Sequence, residues 1–365
     1  MSSAAAPPTA PSTRGSSGGG SATRGARTRA SLGTATRSAP ASVRTSSLSR
    51  AGAPPVDPGV RRDLNSIPAV RELTAESLPA IRAARPPRPQ LSGEVEHSDL
   101  TIPGDPALRL RIHRRRAATG VLPCILSIHG GGFVLGDATV DDALFENWCR
   151  RFDCIGVSVD YRLAPETPYP GPLDDCHRGL RWVRDHSTEL GIDPARVGVF
   201  GVSAGGGLAA GLSLLIRDLG EPPPAFQALL YPMLDDRQVT TSSRWTDVPR
   251  WNPVANRFGW RSYLGPVYGA ADVPYHAAPA RATDLTGLPP TCVVVGTVDG
   301  FHDEDVAFAQ RLCHAGVSTE LHVYAGGSHG FAAPACRAPL AIRARQVIDD
   351  WLAGQLGLNR EEELS

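Results

Sequence analysis

The chain has 365 residues, 41 % hydrophobic and 20 % charged, which is enough for one large α/β domain or two small ones. The formal net charge is zero but uneven: residues 1–55 hold seven arginines and no acid, the rest 30 basic against 37 acidic residues, and lysine is absent. No apolar run approaches the roughly 20 residues a membrane helix needs, and seven scattered cysteines without a C-x-x-C pair argue against a disulfide framework or a cysteine zinc site. The cysteines read as small core hydrophobes.

Residues 1–55 are Ser, Ala, Gly, Pro, Thr and Arg with almost no large apolar side chain, so they cannot bury enough surface to fold. A disordered extension, or a stretch ahead of the true start, is the expectation. The Arg- and Ser-rich, acid-free composition is also compatible with an organelle transit peptide. A nucleic-acid arm would interleave aromatic residues for stacking, and none is present. No secretory apolar core is present either, and a cytoplasmic location is expected.

Over 56–90, Leu64, Ile67, Val70, Leu73, Leu78 and Ile81 recur at helix-like spacing until Pro86, Pro87 and Pro89, which predicts one or two amphipathic helices. From about residue 95 apolar strands alternate with helices. Strands are expected at 108–112, 123–128, 154–159, 197–200, 228–231, 292–295 and 321–324. Helices are expected at about 174–186, 208–216, 304–314 and 338–354. That alternation implies a mostly parallel sheet covered on both faces. Between Tyr231 and Cys292 lies a long insert holding Trp245, Trp251, Phe258, Trp260 and Tyr263, either a lid or pocket wall, or an anchor to the core. Residues 359–365 form an acidic tail.

The pattern G-x-S-x-G occurs three times. Gly15–Gly19 sits in low-complexity sequence. Gly326–Gly330 runs into Pro334, which blocks a helix. Only Gly201-Val202-Ser203-Ala204-Gly205 follows a strand and precedes a helical pattern, as a strained turn presenting a nucleophilic hydroxyl requires. A serine needs a base, and the base needs an orienting carboxylate. His329, flanked by glycines after a strand, suits the base better than His302, whose acidic neighbours resemble a solvated helix start. Asp299, at a strand end between Ser203 and His329, suits the carboxylate; Asp303 is the alternative and reads better as a helix cap. Negative charge on a carbonyl oxygen needs donors. His129-Gly130-Gly131-Gly132 after a strand end can turn backbone N–H groups inward, with the Ala204 N–H as a further donor, and His129 reads as structural.

These residues resemble the hormone-sensitive-lipase-like branch of the α/β-hydrolases over roughly residues 56–355. The likeness rests on His129-Gly130-Gly131-Gly132, on Asp160-Tyr161-Arg162-Leu163-Ala164-Pro165-Glu166, on Gly201-Val202-Ser203-Ala204-Gly205-Gly206, on Asp299 with Asp303-Glu304, and on His329-Gly330-Phe331. The resemblance implies an α/β-hydrolase fold with a mostly parallel central sheet, helices on both faces and a helical cap from about 56–90 and 235–265. It implies catalytic Ser203, Asp299 and His329, and oxyanion donors at Gly131, Gly132 and Ala204. The expected function is a serine hydrolase cleaving carboxylic esters of short to medium acyl chain through an acyl-enzyme. An acyltransferase using the same serine, or a non-catalytic ligand-binding relative, is the alternative; the presence of His329 argues against the latter. Val202 stands where the family usually has Asp or Thr, and Gly207 where it often has Asn. The triad needs no metal and no cofactor, and none is expected. A small-molecule ester is the expected partner, without nucleic acid or stable membrane insertion, and a homodimer is left open.

Overall fold

A computed structural model of the chain describes residues 52–65, 73–84 and 90–358. The 1–51 part of the extension, Ile67, Val70, the prolines at 86–89 and the acidic tail lie outside the described residues. The described residues all belong to one unit, Arg50–Ser365.

Eight strands make one mixed sheet: β1 (Val95–Ile102), β2 (Leu108–Arg115), β3 (Leu122–Ile128), β4 (Ile155–Asp160), β5 (Ile192–Val202), β6 (Gln227–Leu230), β7 (Thr291–Gly296) and β8 (Thr319–Tyr324). Their order is β1-β2-β4-β3-β5-β6-β7-β8. β1 pairs antiparallel with β2, and β2 with β4; the other pairings are parallel. The helices are α1 (Pro58–Asn65), α2 (Leu78–Ala83), α3 (Asp142–Phe152), α4 (Gly171–Asp185), α5 (Ser187–Leu190), α6 (Ala204–Leu219), α7 (Pro253–Leu264), α8 (His302–His314) and α9 (Pro339–Gln355). This is the expected α/β-hydrolase architecture.

Alternation along the strands divides the core. Cys124, Leu126 and Ile128 of β3 and Val197 and Val199 of β5 pack with α4, α6 and α8. Ile125, Phe200 and Val294 point the other way, into a second cluster with α1, α3 and α9. Side chains two apart share a face, so an uninterrupted apolar strand supplies both layers. All seven residues of β3 are buried.

Two of the elements beyond the predicted set are β1 and α3. β1 is an edge strand buried only at Val95 and Ile102, so its sequence shows no alternation. α3 buries Phe145, Trp148, Cys149 and Phe152, an i, i+3, i+4, i+7 stripe. Six cysteines are buried and Cys313 is exposed, and all seven are free thiols. Among the described residues no helix is long and apolar enough to cross a membrane.

Two segments sit against the carboxyl ends of the parallel strands. On α2, Arg82 donates from Nε to the Val134 carbonyl (2.8 Å) and from Nη2 to the Ala164 carbonyl (2.8 Å), and it pairs with Glu166. The insert after β6 is fixed by Trp260 and Tyr263, both fully buried. Tyr263 stacks on Phe133 at 4.0 Å between ring centroids. α1 instead joins the cluster that contains α9, and Asp63 accepts from the Arg337 N–H.

Candidate active site

β5 ends at Val202 and α6 begins at Ala204, so the chain reverses within one residue. Ser203 takes φ 57° and ψ −118°, a region a side chain enters only when its surroundings force it. The forcing contacts are visible. The Ser203 N–H donates to the Leu230 carbonyl, and its carbonyl accepts from Gly207 and Met233. A Cβ on Gly205 would overlap the carbonyl oxygens of Ile128 and His129, which cannot move without breaking the end of β3. Gly205→Ala is therefore expected to destabilise the protein by roughly 3 kcal/mol or more. The urea unfolding midpoint checks this, and an unchanged midpoint would mean the turn is not so constrained.

Ser203 Oγ lies 2.9 Å from His329 Nε2, and His329 Nδ1 lies 2.9 Å from Asp299 Oδ2. The other oxygen of Asp299 accepts from the Phe301 N–H at 3.0 Å. All three side chains are buried. The structure thus brings Ser203, His329 and Asp299 into one relay. Asp299 and His329 meet because the loops after β7 and β8 touch through glycine: a Cβ on Gly296 would overlap the Gly327 backbone. The Val298 N–H also donates to the Gly327 carbonyl.

The rival residues are committed elsewhere. His302 pairs with Asp303, and Asp303 accepts from the Ser242 N–H while Ser242 Oγ accepts from the Asp303 N–H. Asp303 thus ties the first turn of α8 to the insert; the residue preceding the helix is Phe301. Glu304 and Asp305 are buried behind Asp299, and burial pushes both well above the usual carboxylate range, favouring the neutral acid. Glu304 still accepts from the N–H groups of Leu234 and Asp235, holding the start of the insert.

The glycine loop runs beside the serine. A Cβ on Gly130 would stand 2.9 Å from the Val202 carbonyl and 3.4 Å from Ser203 Cβ. Gly131 and Gly132 have φ of +124° and +60°, and the Gly131 carbonyl accepts from Val134 and Leu135. Among the described residues, the N–H groups of Gly131 and Gly132 meet no protein acceptor. Ala204 heads the 16-residue α6, where backbone N–H groups have no helical partner and favour negative charge. His129 is structural, as expected: its ring stacks on Tyr161 at 4.2 Å, its Nδ1 faces the Gly130 carbonyl, and the Tyr161 hydroxyl donates to the His129 carbonyl. Burial pushes its pKa down, which keeps it neutral.

The Asp160–Glu166 stretch braces this loop. Asp160 accepts from the Ala138 N–H, Arg162 pairs with Asp175, and Glu166 with Arg82. At Gly207 a Cβ would overlap the Met233 carbonyl, so a larger residue would need the start of the insert to move.

Three aromatic residues surround His329, of which Tyr231 and Phe301 had no predicted place in the site. Tyr231 and Phe301 meet its ring edge to face at 5.0 Å, and Trp251 lies 6.4 Å away. Tyr231 and Phe301 are the residues next to a strand end and to a candidate acid, a signal available in the sequence. Trp251 also closes over Gly132, where a Cβ would strike its indole. The insert therefore does both things expected of it: Trp260 and Tyr263 anchor, and Trp251 walls the site. A cavity of about 10 Å³ remains between Trp251, Asn256 and Phe301. A roomier groove of about 510 Å³ lies among Arg237, Tyr275, Arg281 and Arg311, and none of the candidate residues lines it.

A buried serine, histidine and carboxylate in sequence-order Ser, Asp, His, beside a loop of free N–H groups, can carry out acyl transfer from an ester. Residues 125–333 match the family described as having the α/β-hydrolase fold. The chain is 34 % identical to Esterase LipI of Mycobacterium tuberculosis over 297 residues, 80 % of this chain and 92 % of that protein. It is 33 % identical to an arylesterase of Saccharolobus solfataricus over 57 % of this chain and 67 % of that protein. Among solved structures, a bacterial heroin esterase superposes with a TM-score of 0.76 at 38 % identity, covering 82 % of this chain and 98 % of that one. Fold, site geometry and these likenesses agree: the chain belongs to the hormone-sensitive-lipase-like branch of the α/β-hydrolases, and it is a serine hydrolase with carboxylesterase activity.

Proposed function

We propose that Ser203 is the nucleophile, His329 the general base and Asp299 its orienting carboxylate. The observation that carries this is the relay of two 2.9 Å contacts from Ser203 Oγ through His329 to Asp299. Ser203 Oγ bonds to the ester carbonyl carbon as its proton passes to His329 Nε2. Collapse of the tetrahedral intermediate breaks the bond to the alkoxide, which leaves with that proton. Water then repeats the cycle on the acyl-enzyme and frees the acid. The N–H groups of Gly131, Gly132 and Ala204 receive the carbonyl oxygen as it becomes negative, a contribution of about 3 kcal/mol per donor.

The substrate is a small-molecule ester of short to medium acyl chain. Trp251 closing against Gly132 supports a bounded acyl site. The cap over this site consists of α2, from the 56–90 segment, and the insert at 235–265. Turnover of p-nitrophenyl esters from acetate to palmitate tests the reading. A maximum at short chains with free acid as product is expected. Silence in folded protein, or acyl transfer to an added alcohol in place of hydrolysis, would overturn it. Trp251→Ala is expected to raise the octanoate-to-butyrate turnover ratio roughly tenfold, the effect of accommodating one further methylene at about 1–3 kcal/mol. An unchanged ratio would remove Trp251 from the acyl pocket.

A further inference from the structure

At the far edge of the sheet, four side chains converge that the reaction does not use. His97 of β1 and His113 of β2 are directly opposed in the antiparallel register, so their rings project from the same face. α3 covers that face and brings Asp142 and, one turn later, Glu146. The two Nδ1 atoms lie 2.8 Å apart, and Asp142 Oδ1 lies 3.7 Å from one and 3.8 Å from the other. Among the described residues this is the one group of three such donors within 4.8 Å of one another.

The outer contacts fix which atoms are free. His97 Nε2 faces Glu146 Oε2 at 3.3 Å, and Glu146 also accepts from the Ser92 N–H and hydroxyl. An ionised carboxylate only accepts, so His97 Nε2 carries a hydrogen, and a ring with that one hydrogen presents a lone pair at Nδ1. His113 Nε2 lies 3.0 Å from Ser158 Oγ. Where Ser158 accepts from this nitrogen, His113 also presents a lone pair at Nδ1.

Two such lone pairs facing at 2.8 Å repel unless a proton or a metal cation sits between them. The charge balance asks for the same thing. Asp142, Glu146 and Asp99 surround one Arg111, which donates from Nε to Asp142 Oδ1 (2.6 Å) and from Nη2 to Oδ2 (2.9 Å). Arg109 and Asp160 alongside cancel each other. With neutral rings the cluster is two negative charges in excess. A tetrahedral zinc ion with ligands at about 2.0–2.1 Å sets its donor atoms about 3.3–3.4 Å apart, a spacing that the 2.8, 3.7 and 3.8 Å separations bracket. A ring whose outer nitrogen donates to a carboxylate or hydroxyl is the usual setting of a metal-bound histidine.

We propose that His97 Nδ1, His113 Nδ1 and Asp142 Oδ1 bind a divalent transition-metal ion, zinc in the first place, with water as the fourth ligand. The ion clamps edge strand β1 and helix α3 onto β2. It takes no part in ester hydrolysis, because β1 stands four strand positions from β5, roughly 19 Å at ordinary strand spacing.

The test is zinc titration of the full chain by equilibrium dialysis and thermal unfolding, beside His97→Gln. Turnover of p-nitrophenyl acetate reports that the variant is folded. The expected result is one zinc per chain. Its thermal midpoint should rise by about 5 °C when free zinc is a hundredfold above the dissociation constant, and both effects should vanish in His97→Gln. X-ray absorption of the zinc-loaded parent protein, which does not depend on the variant folding, is expected to show two imidazoles and oxygen ligands at about 2.0 Å. Uptake no greater than in His97→Gln, an unshifted midpoint, or a spectrum lacking two imidazoles would overturn the proposal and leave a shared proton between the rings.

Discussion

Ser203→Ala is expected to lower kcat on p-nitrophenyl acetate by roughly 10⁵-fold or more, with KM and the unfolding midpoint close to those of the parent. Removing Oγ deletes the atom proposed to bond to the acyl carbon, 2.9 Å from the nitrogen proposed to take its proton. The elbow itself is held by main-chain bonds to Leu230, Gly207 and Met233, none of which uses the hydroxyl. Alanine tolerates the left-handed φ of 57° no better and no worse than serine, so the turn persists. The loop of Gly131 and Gly132 also remains, and residual turnover above the uncatalysed rate is expected from it. Steady-state kinetics and the absence of a p-nitrophenol burst check this; turnover surviving within tenfold of the parent would place the chemistry on another residue.

Asp299→Asn is expected to lower kcat by roughly 10⁴-fold with KM nearly unchanged. Asp299 divides its oxygens between the Phe301 N–H and His329 Nδ1. The Phe301 N–H is buried and needs an acceptor, so the asparagine oxygen goes there and its amino group turns to Nδ1. The histidine must then accept at Nδ1 and carry its hydrogen at Nε2, where it cannot take the serine proton. Shape and packing are preserved, so the loss falls on kcat. Asp303→Asn, whose carboxylate meets Ser242 and His302, is expected to leave kcat largely intact. Equal losses in the two variants would mean that the carboxylates act through the fold.

The relay was legible because each member carries a local mark. Among the described residues Ser203 is the only match of its pattern between a strand and a helix, Asp299 follows closely on β7, and His329 sits among glycines after β8. The glycines encode contact with backbone: Gly205 with β3, and Gly296 with the neighbouring loop. The parallel strands were legible for a related reason, since a strand buried on both faces is an unbroken apolar run.

What the sequence determined by itself is therefore the parallel strands, the elbow and the three side chains proposed to react, all of which depend on residues adjacent in the chain or on unbroken apolar runs. The tertiary structure alone decided the partners of groups that the chain separates widely. Trp251 reaches Gly132 from a helical insert more than a hundred residues away, and Asp303 is taken up by Ser242 of the same insert. His97 and His113 face each other only through the register of an edge strand whose polar sequence shows no alternation, under a helix that adds Asp142 and Glu146. Strand register and helix docking are set by the summed packing of the whole core, and no single stretch of residues contains that sum.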